Sequence, residues 1–382
     1  MTTRGFYTLL GGVLMLFTAL SVGSAGAFLL GAAALCALAL SLLSALITAC
    51  TCRITQEASA LQAARGEQVV YTLRVRLFSP LPAAPLSLRL CLPSGKESEF
   101  RLNASLIGET VSESAFTCPH VGVCRVGVTQ VTVSDCFSFF RFTRKVRAPL
   151  LPITVLPNPA QADMPAFSPG EGEHSASQRA QSDRTTPVDT RPWQDGDDMK
   201  RVHWKLSMRK QALMVHTYET PQRPDALVLL DGSTPLCADG RRAQMIDALT
   251  ETCAGVIRVL LEAGHPVRMP LGGQAARELA GQDGSAMHAM LEALAIEPFD
   301  APPEFERVLM LCARRMRTTG STVIVTSRLT PRIADMALAL MRMGPRLQFT
   351  LVTDGLMSEQ QDKLMHLLRA NGADAHHISL AP

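Results

Sequence analysis

The stretch Ala226-Leu-Val-Leu-Leu-Asp-Gly-Ser-Thr-Pro235 decides how the second half of the chain is read. Five consecutive apolar residues leave no polar face, as in a parallel strand covered on both sides, and Asp231-Gly232 ends the run where such a strand meets its loop. Downstream, Met245, Ile246, Leu249, Cys253, Val256, Ile257 and Leu260 recur at helical spacing, and Gly264 before His265-Pro266 supplies a stop. Further strands are expected at Pro266–Met269, Thr322–Thr326 and Leu347–Thr353. Between and after them, Thr330-Pro331 opens a helix that closes at Gly344-Pro345, and Ser358-Glu-Gln-Gln361 is a capping box for another that ends at Asn371-Gly372. This alternation predicts a doubly wound α/β domain over residues 225–382.

Immediately upstream, residues 158–224 read as a linker followed by a dense charged segment. Pro157–Ala180 gathers Pro, Gly, Ser, Ala and Glu without an apolar period, which marks an exposed connection. Ser182–Lys210 then holds five aspartates, seven Lys or Arg and both tryptophans of the chain, Trp193 and Trp204. Two readings stand: a self-paired network of Arg forks, carboxylates and rings that pins the loop down, or a docking surface, because Arg and Trp anchors dominate binding energy at interfaces.

At the other end, Arg4 and Arg53 bracket 48 residues without one Asp, Glu, Lys, Arg or His. That stretch accounts for much of the 47% hydrophobic content and the mean hydropathy of +0.14. It is long enough for two membrane helices, since about 20 apolar residues cross a bilayer core. A hairpin over residues 1–52 is expected, with spans near Phe6–Leu20 and Phe28–Ala49 and the turn at Ser21–Gly26. A cleaved signal peptide ending near Ala25-Gly-Ala27 is the competing reading. Basic residues on both flanks, Arg4 and Arg53, would place the bulk of the chain in the cytoplasm, under an inner membrane, with reduced thiols.

Residues 53–157 change to short alternating runs: Gln68–Leu77, Leu86–Leu92 and Val126–Val133. Period-two alternation with Pro and Gly between runs predicts a small β-sandwich. Cys118, His120, Cys124 and Cys136 could be soft ligands, but C-x-H-x3-C matches no usual zinc spacing, and buried thiols are the expectation. From Arg53 onward, 36 basic against 34 acidic residues leave a charge of only +2, which argues against general nucleic-acid binding.

The charged segment resembles the signature of the domain of unknown function 58 family, an R-x-Y, a G-D and then R-x-I-x-W-x-x-(S/A)-A-R. Arg191-Pro-Trp193 stands for the first element, Gly196-Asp197 for the second, and Arg201-Val-His-Trp204 with Ser207-Met-Arg209 for the third. Upstream, Val121–Gly127 and Ser134-Asp-Cys-Phe-Ser-Phe-Phe140 resemble the family's R-G-x-Y and D-P-F-G-L-F elements, with Val121, Cys124, Cys136 and Ser138 departing from them. The order of membrane spans, β domain, signature and α/β domain is similar throughout. The resemblance implies a membrane-anchored adaptor or assembly factor, without established enzymatic activity, encoded beside MoxR-type AAA+ ATPases. Its expected partner-binding residues are Arg184, Arg191, Trp193, Gly196, Asp197, Arg201, Trp204, Ser207 and Arg209.

Asp231-Gly-Ser233-Thr-Pro235 resembles the D-x-S-x-S start of a von Willebrand A-type metal site, in which Asp231 and Ser233 would bind Mg²⁺ through oxygen. Pro235 replaces the second Ser, and Thr326-Ser-Arg328 stands where an acid is expected. A metal-dependent ligand-binding module is therefore the alternative to the adaptor, with Asp231 otherwise a cap or a partner for the basic signature. A hydrolase is disfavoured: H-E-x-x-H, G-x-S-x-G and G-x-x-x-x-G-K-[ST] are all missing from the sequence, and His203 beside Asp197 is the lone base candidate.

Overall fold

A computed structural model describes residues 2–79, 85–95, 97–105, 107–159, 189–194, 199, 202–217, 225–271, 274–300, 305–316, 319–342 and 346–380. The chain divides into two compact units, Met1–Leu156 and Pro157–Pro382.

The first unit begins with helices α1 (Thr3–Val22) and α2 (Ala25–Thr51). Each is long and apolar enough to cross a membrane. The turn between them is only Gly23-Ser24, tighter than the six residues expected. Gly23 takes the left-handed conformation (φ 73°) that ends α1, and the Ser24 side chain accepts from the Ala27 N–H to start α2. Small residues bring the helices together: a Cβ on Gly31 would stand 3.0 Å from the Gly12 carbonyl oxygen. The outward faces carry exposed Phe6, Leu10, Leu14, Phe17, Leu29 and Leu43, unlike those of a core helix.

Among the described residues nine strands follow: β1 (Arg53–Ala58), β2 (Gln62–Ala64), β3 (Gln68–Phe78), β4 (Leu86–Cys91), β5 (Glu97–Leu102), β6 (Ile107–Thr117), β7 (Gly122–Ser134), β8 (Arg141–Lys145) and β9 (Leu151–Leu156). One sheet is β1-β3-β6; the other runs β2-β9-β7-β4-β5, with β8 also on β7. Both contribute to one core. Val69, Tyr71, Leu73, Val75 and Leu77 alternate inward along β3, and Leu86, Leu88, Val126, Val128, Val131, Val133 and Ile153 come from the other sheet. Strict alternation fails once in β7, where Val128 pairs Leu90 and Gln130 pairs Arg89. Thr129 is the extra residue of a bulge, which turns Val131 and Val133 back to the core.

In the second unit, β10 (Asp189–Pro192) and β11 (Met214–Thr217) form an antiparallel ribbon around α3 (Trp204–Lys210). Then come β12 (Ala226–Leu230), α4 (Arg242–Glu262), β13 (Val267–Leu271), β14 (Gln274–Gly281), α5 (Met287–Ile296), α6 (Phe305–Met316), β15 (Ser321–Thr326), α7 (Pro331–Met341), β16 (Arg346–Thr353), α8 (Glu359–Ala370) and β17 (Asp374–Ser379). The sheet order is β14-β13-β12-β15-β16-β17, parallel except for β14 on β13. Successive residues of β12 serve opposite faces. Leu227 and Leu229 pack with Leu309, Ile333 and Met365 of α6, α7 and α8, while Ala226 and Val228 pack with Met245, Leu249 and Met290 of α4 and α5. Covering both faces explains the unbroken apolar run, each fully buried Leu or Val contributing about 1.5–3 kcal/mol.

Candidate functional site

Within the charged segment, the ribbon and α3 set each described side chain. Trp193 N–H donates to the Leu213 carbonyl, and Val202 bridges to Val215. Ser207, buried on α3, accepts from the Met214 N–H at 2.8 Å and donates to the His203 carbonyl at 3.0 Å, so it fastens helix to strand. His203 caps α3, its Nδ1 accepting from the Leu206 N–H at 3.1 Å, which gives this side chain a structural task. Arg191 donates to the Pro192 carbonyl. The Trp193 indole N–H is buried without a hydrogen-bond partner among the described residues. Arg184, Gly196, Asp197 and Arg201 lie outside the described residues.

The other side of α3 is open. Trp204 is 59% exposed and Met208, one turn on, 82% exposed, so both project from the same face. Lys205, Arg209 and Lys210 are exposed beside them, and the seven-residue helix contains no acid. The two tryptophans therefore differ: Trp193 is half-buried in the fold and Trp204 is presented to solvent.

A second cluster sits at the carboxyl ends of the parallel strands, where ligands of such sheets collect. Asp231 is buried after β12; its Oδ1 accepts from Ser233 Oγ at 2.6 Å and the Ser233 N–H at 3.0 Å. Its Oδ2 accepts from Thr326 Oγ1, at the end of β15, at 2.6 Å. Arg328 donates to the Thr234 carbonyl, and Asp354 after β16 forms an ion pair with Arg241 at 2.8 Å and accepts from the Ala238 N–H. These loops border a cleft of about 270 Å³ lined by Leu236, Cys237, Ser327, Thr353, Asp354 and Gln361. Asp231 and Ser233 are thus brought together as the sequence suggests, and Thr326 completes the cluster. Thr326 belongs to the run that stands where the sequence pattern calls for an acid, and it contributes a hydroxyl there instead.

The donor set does not fit a directly held divalent ion. Both Asp231 oxygens are taken up by hydroxyls of their own loops, Asp354 is paired with Arg241, and no three His, Cys, Asp or Glu converge among the described residues. The four candidate zinc ligands also stay apart as a set. Cys118 is buried, Cys124 is half-buried and donates to the Ile153 carbonyl, and Cys136 is exposed. Burial, with the Cys118 thiol beside it, pushes the Cys124 thiol up to about 11, as expected of packing cysteines.

Residues 189–364, just under half of the chain, match the family model described as "Protein of unknown function DUF58", and this region belongs to the DUF58 family. No curated protein matches the chain significantly. Among solved structures, the chain is similar to the CARDB domain of the PF1109 protein of Pyrococcus furiosus, in complex with di-metal ions, at 14% identity over 28% of this chain and 94% of that one, TM-score 0.20. It is also similar to the Parabacteroides merdae beta-glucuronidase at 9% identity (85% of this chain, 39% of that one, TM-score 0.19) and to Cwp6 from Clostridium difficile at 8% (86% and 37%, TM-score 0.19). The chain spans under half the length of the latter two. At such TM-scores these likenesses carry no argument about fold or function.

Proposed function

We propose that this is a membrane-anchored, non-enzymatic adaptor that holds a protein partner through the open face of α3. The observation that carries this reading is the pair Trp204 and Met208, exposed one turn apart and flanked by Lys205 and Arg209. An exposed Trp offers a large apolar surface with little rotamer entropy to lose, and the basic surround suits a partner with an acidic rim. The anchor in this reading is the α1–α2 hairpin, and the basic residues Arg4 and Arg53 at its two ends support a cytoplasmic side for both termini of the hairpin and the bulk of the chain, under the inner membrane. The partner class is a MoxR-type AAA+ ATPase, on the strength of the family resemblance alone. A von Willebrand A-like character for the second unit is supported by its strand order, third-second-first-fourth-fifth-sixth with an antiparallel edge.

Affinity purification of the tagged full chain from detergent tests the proposal. A partner that co-purifies with the wild type and is lost with Trp204→Ala, while the variant remains folded, is the expected result. Equal capture by Trp204→Ala and by Met208→Ala would remove α3 from the interface.

A further inference from the structure

Asp135, which directly follows β7, is 3% exposed. It accepts from Ser41 Oγ in α2 at 2.5 Å and from the N–H groups of Phe137 (3.2 Å) and Phe140 (2.7 Å). The turn it organises also receives the start of α1. Thr2 N–H donates to the Phe139 carbonyl at 2.8 Å, Thr2 Oγ1 donates to the Ser138 carbonyl at 2.6 Å, and a Cβ at Gly5 would stand 2.7 Å from the Phe139 oxygen. The 135–140 turn therefore touches both apolar helices at one level, the first turn of α1 and Ser41 of α2.

Beyond that level α2 continues from Leu42 to Thr51, about 15 Å at 1.5 Å per residue. One side of this extension, Ser44, Ala45 and Thr48, is buried. On the other side Leu43 (55%) and Leu46 (41%) remain exposed. Apolar surface fit for lipid thus runs past the turn, and a leaflet that covers Leu43 and Leu46 also reaches residues 135–140. The turn is suited to that depth. Phe137 is exposed and stacks on Phe139 at 5.4 Å, Phe6 and Tyr7 of α1 are exposed, and Arg4 and Arg141 flank the site. The one carboxylate in the turn is already fully hydrogen-bonded, as a carboxylate close to lipid must be.

We propose that the 135–140 turn inserts Phe137 and Phe139 into the headgroup–acyl boundary of the leaflet the hairpin crosses, with Arg4 and Arg141 toward anionic headgroups, fastening the β unit to the bilayer at a third point. This rests on the reading of α1 and α2 as membrane spans. Aromatic rings and basic side chains at the lipid–water boundary are the usual anchors of that zone.

The test uses the full chain reconstituted in phosphatidylcholine–phosphatidylglycerol vesicles, with one added Trp at Phe6→Trp, Phe137→Trp or Val123→Trp, the last exposed at the far end of β7. The emission added to that of the wild type is compared between ordinary lipid and lipid brominated near the headgroup end of its chains. Expected is loss of at least about half of the added emission at positions 6 and 137, and little loss at 123. Quenching at 6 but not at 137, or equal quenching at 123 and 137, overturns the insertion of this turn while leaving the hairpin in place. No quenching at either 6 or 137 overturns the membrane reading and the insertion with it.

Discussion

Thr326 Oγ1 donates to Asp231 Oδ2 at 2.6 Å and so ties together the carboxyl ends of β12 and β15, 95 residues apart in the chain. With Ser233 on the other oxygen, the carboxylate acts as a knot between adjacent loops. Replacing it removes the acceptor of the Ser233 hydroxyl and N–H and leaves the Thr326 hydroxyl with its Arg328 contacts alone. Asp231→Ala is expected to destabilise the second unit by about 1–3 kcal/mol, measured by urea denaturation. Millimolar Mg²⁺ is expected to leave the wild-type Tm unchanged. A rise that Asp231→Ala lacks would establish the metal-dependent alternative.

Ser207 and Trp204 should separate stability from binding. Ser207→Ala removes the acceptor of the buried Met214 N–H and is expected to cost about 1–2 kcal/mol. Trp204 makes its surface available to solvent, so Trp204→Ala should change stability by no more than about 0.5 kcal/mol while lowering partner capture. The reverse pattern, a stability loss at Trp204 and unchanged capture, would make the segment a structural brace.

Ser138 has φ 57°, in the left-handed region that favours glycine. The D-P-F-G-L-F element that the 134–140 stretch resembles has its glycine at this position, which gives the substitution a backbone reason. Relief of the left-handed conformation outweighs the extra unfolded-state entropy, so Ser138→Gly is expected to raise stability by about 0.5 kcal/mol, and Ser138→Val to lower it by more than about 1 kcal/mol. Thermal unfolding of the full chain in detergent reads both.

Tyr71, buried in β3, donates to Gln56 Oε1 at 2.8 Å, and burial pushes its hydroxyl from 10 up to about 12. The folded state thus holds this proton more tightly than the unfolded one. Its contribution is fully present below pH 10 and is lost as pH rises through about 12. One of the three tyrosines should therefore ionise late in a tyrosinate absorbance titration, together with a fall in stability. Tyr71→Phe should abolish the late step and flatten, without removing, the alkaline decline, since Cys124 at about 11 contributes as well.

Where sequence pattern and burial agree, the fold was legible. The runs at Ala226–Leu230, Thr322–Thr326 and Leu347–Thr353 became β12, β15 and β16 because strands covered on both faces must be apolar throughout. The edges were not. β14, Gln-Ala-Ala-Arg-Glu-Leu-Ala-Gly, has no β-branched residue, and β17, Asp-Ala-His-His-Ile-Ser, is mostly polar. Each is held by pairing to one neighbour, which leaves little trace in composition. The site was half legible: Asp231 and Ser233 stand two residues apart in the chain, whereas Thr326 and Asp354 reach the same strand ends only through the winding of the sheet.

The sequence by itself determined that two apolar helices precede an alternating β region, a charged Trp-bearing segment and an α/β sheet, because periodicity and charge are local properties. Only the tertiary structure decided that Trp204 stands open while Trp193 is half-buried, that His203 is a helix cap, and that Asp135 is joined to Ser41. Exposure and hydrogen-bond partnership depend on what packs against a residue from elsewhere in the chain. No local pattern carries that information.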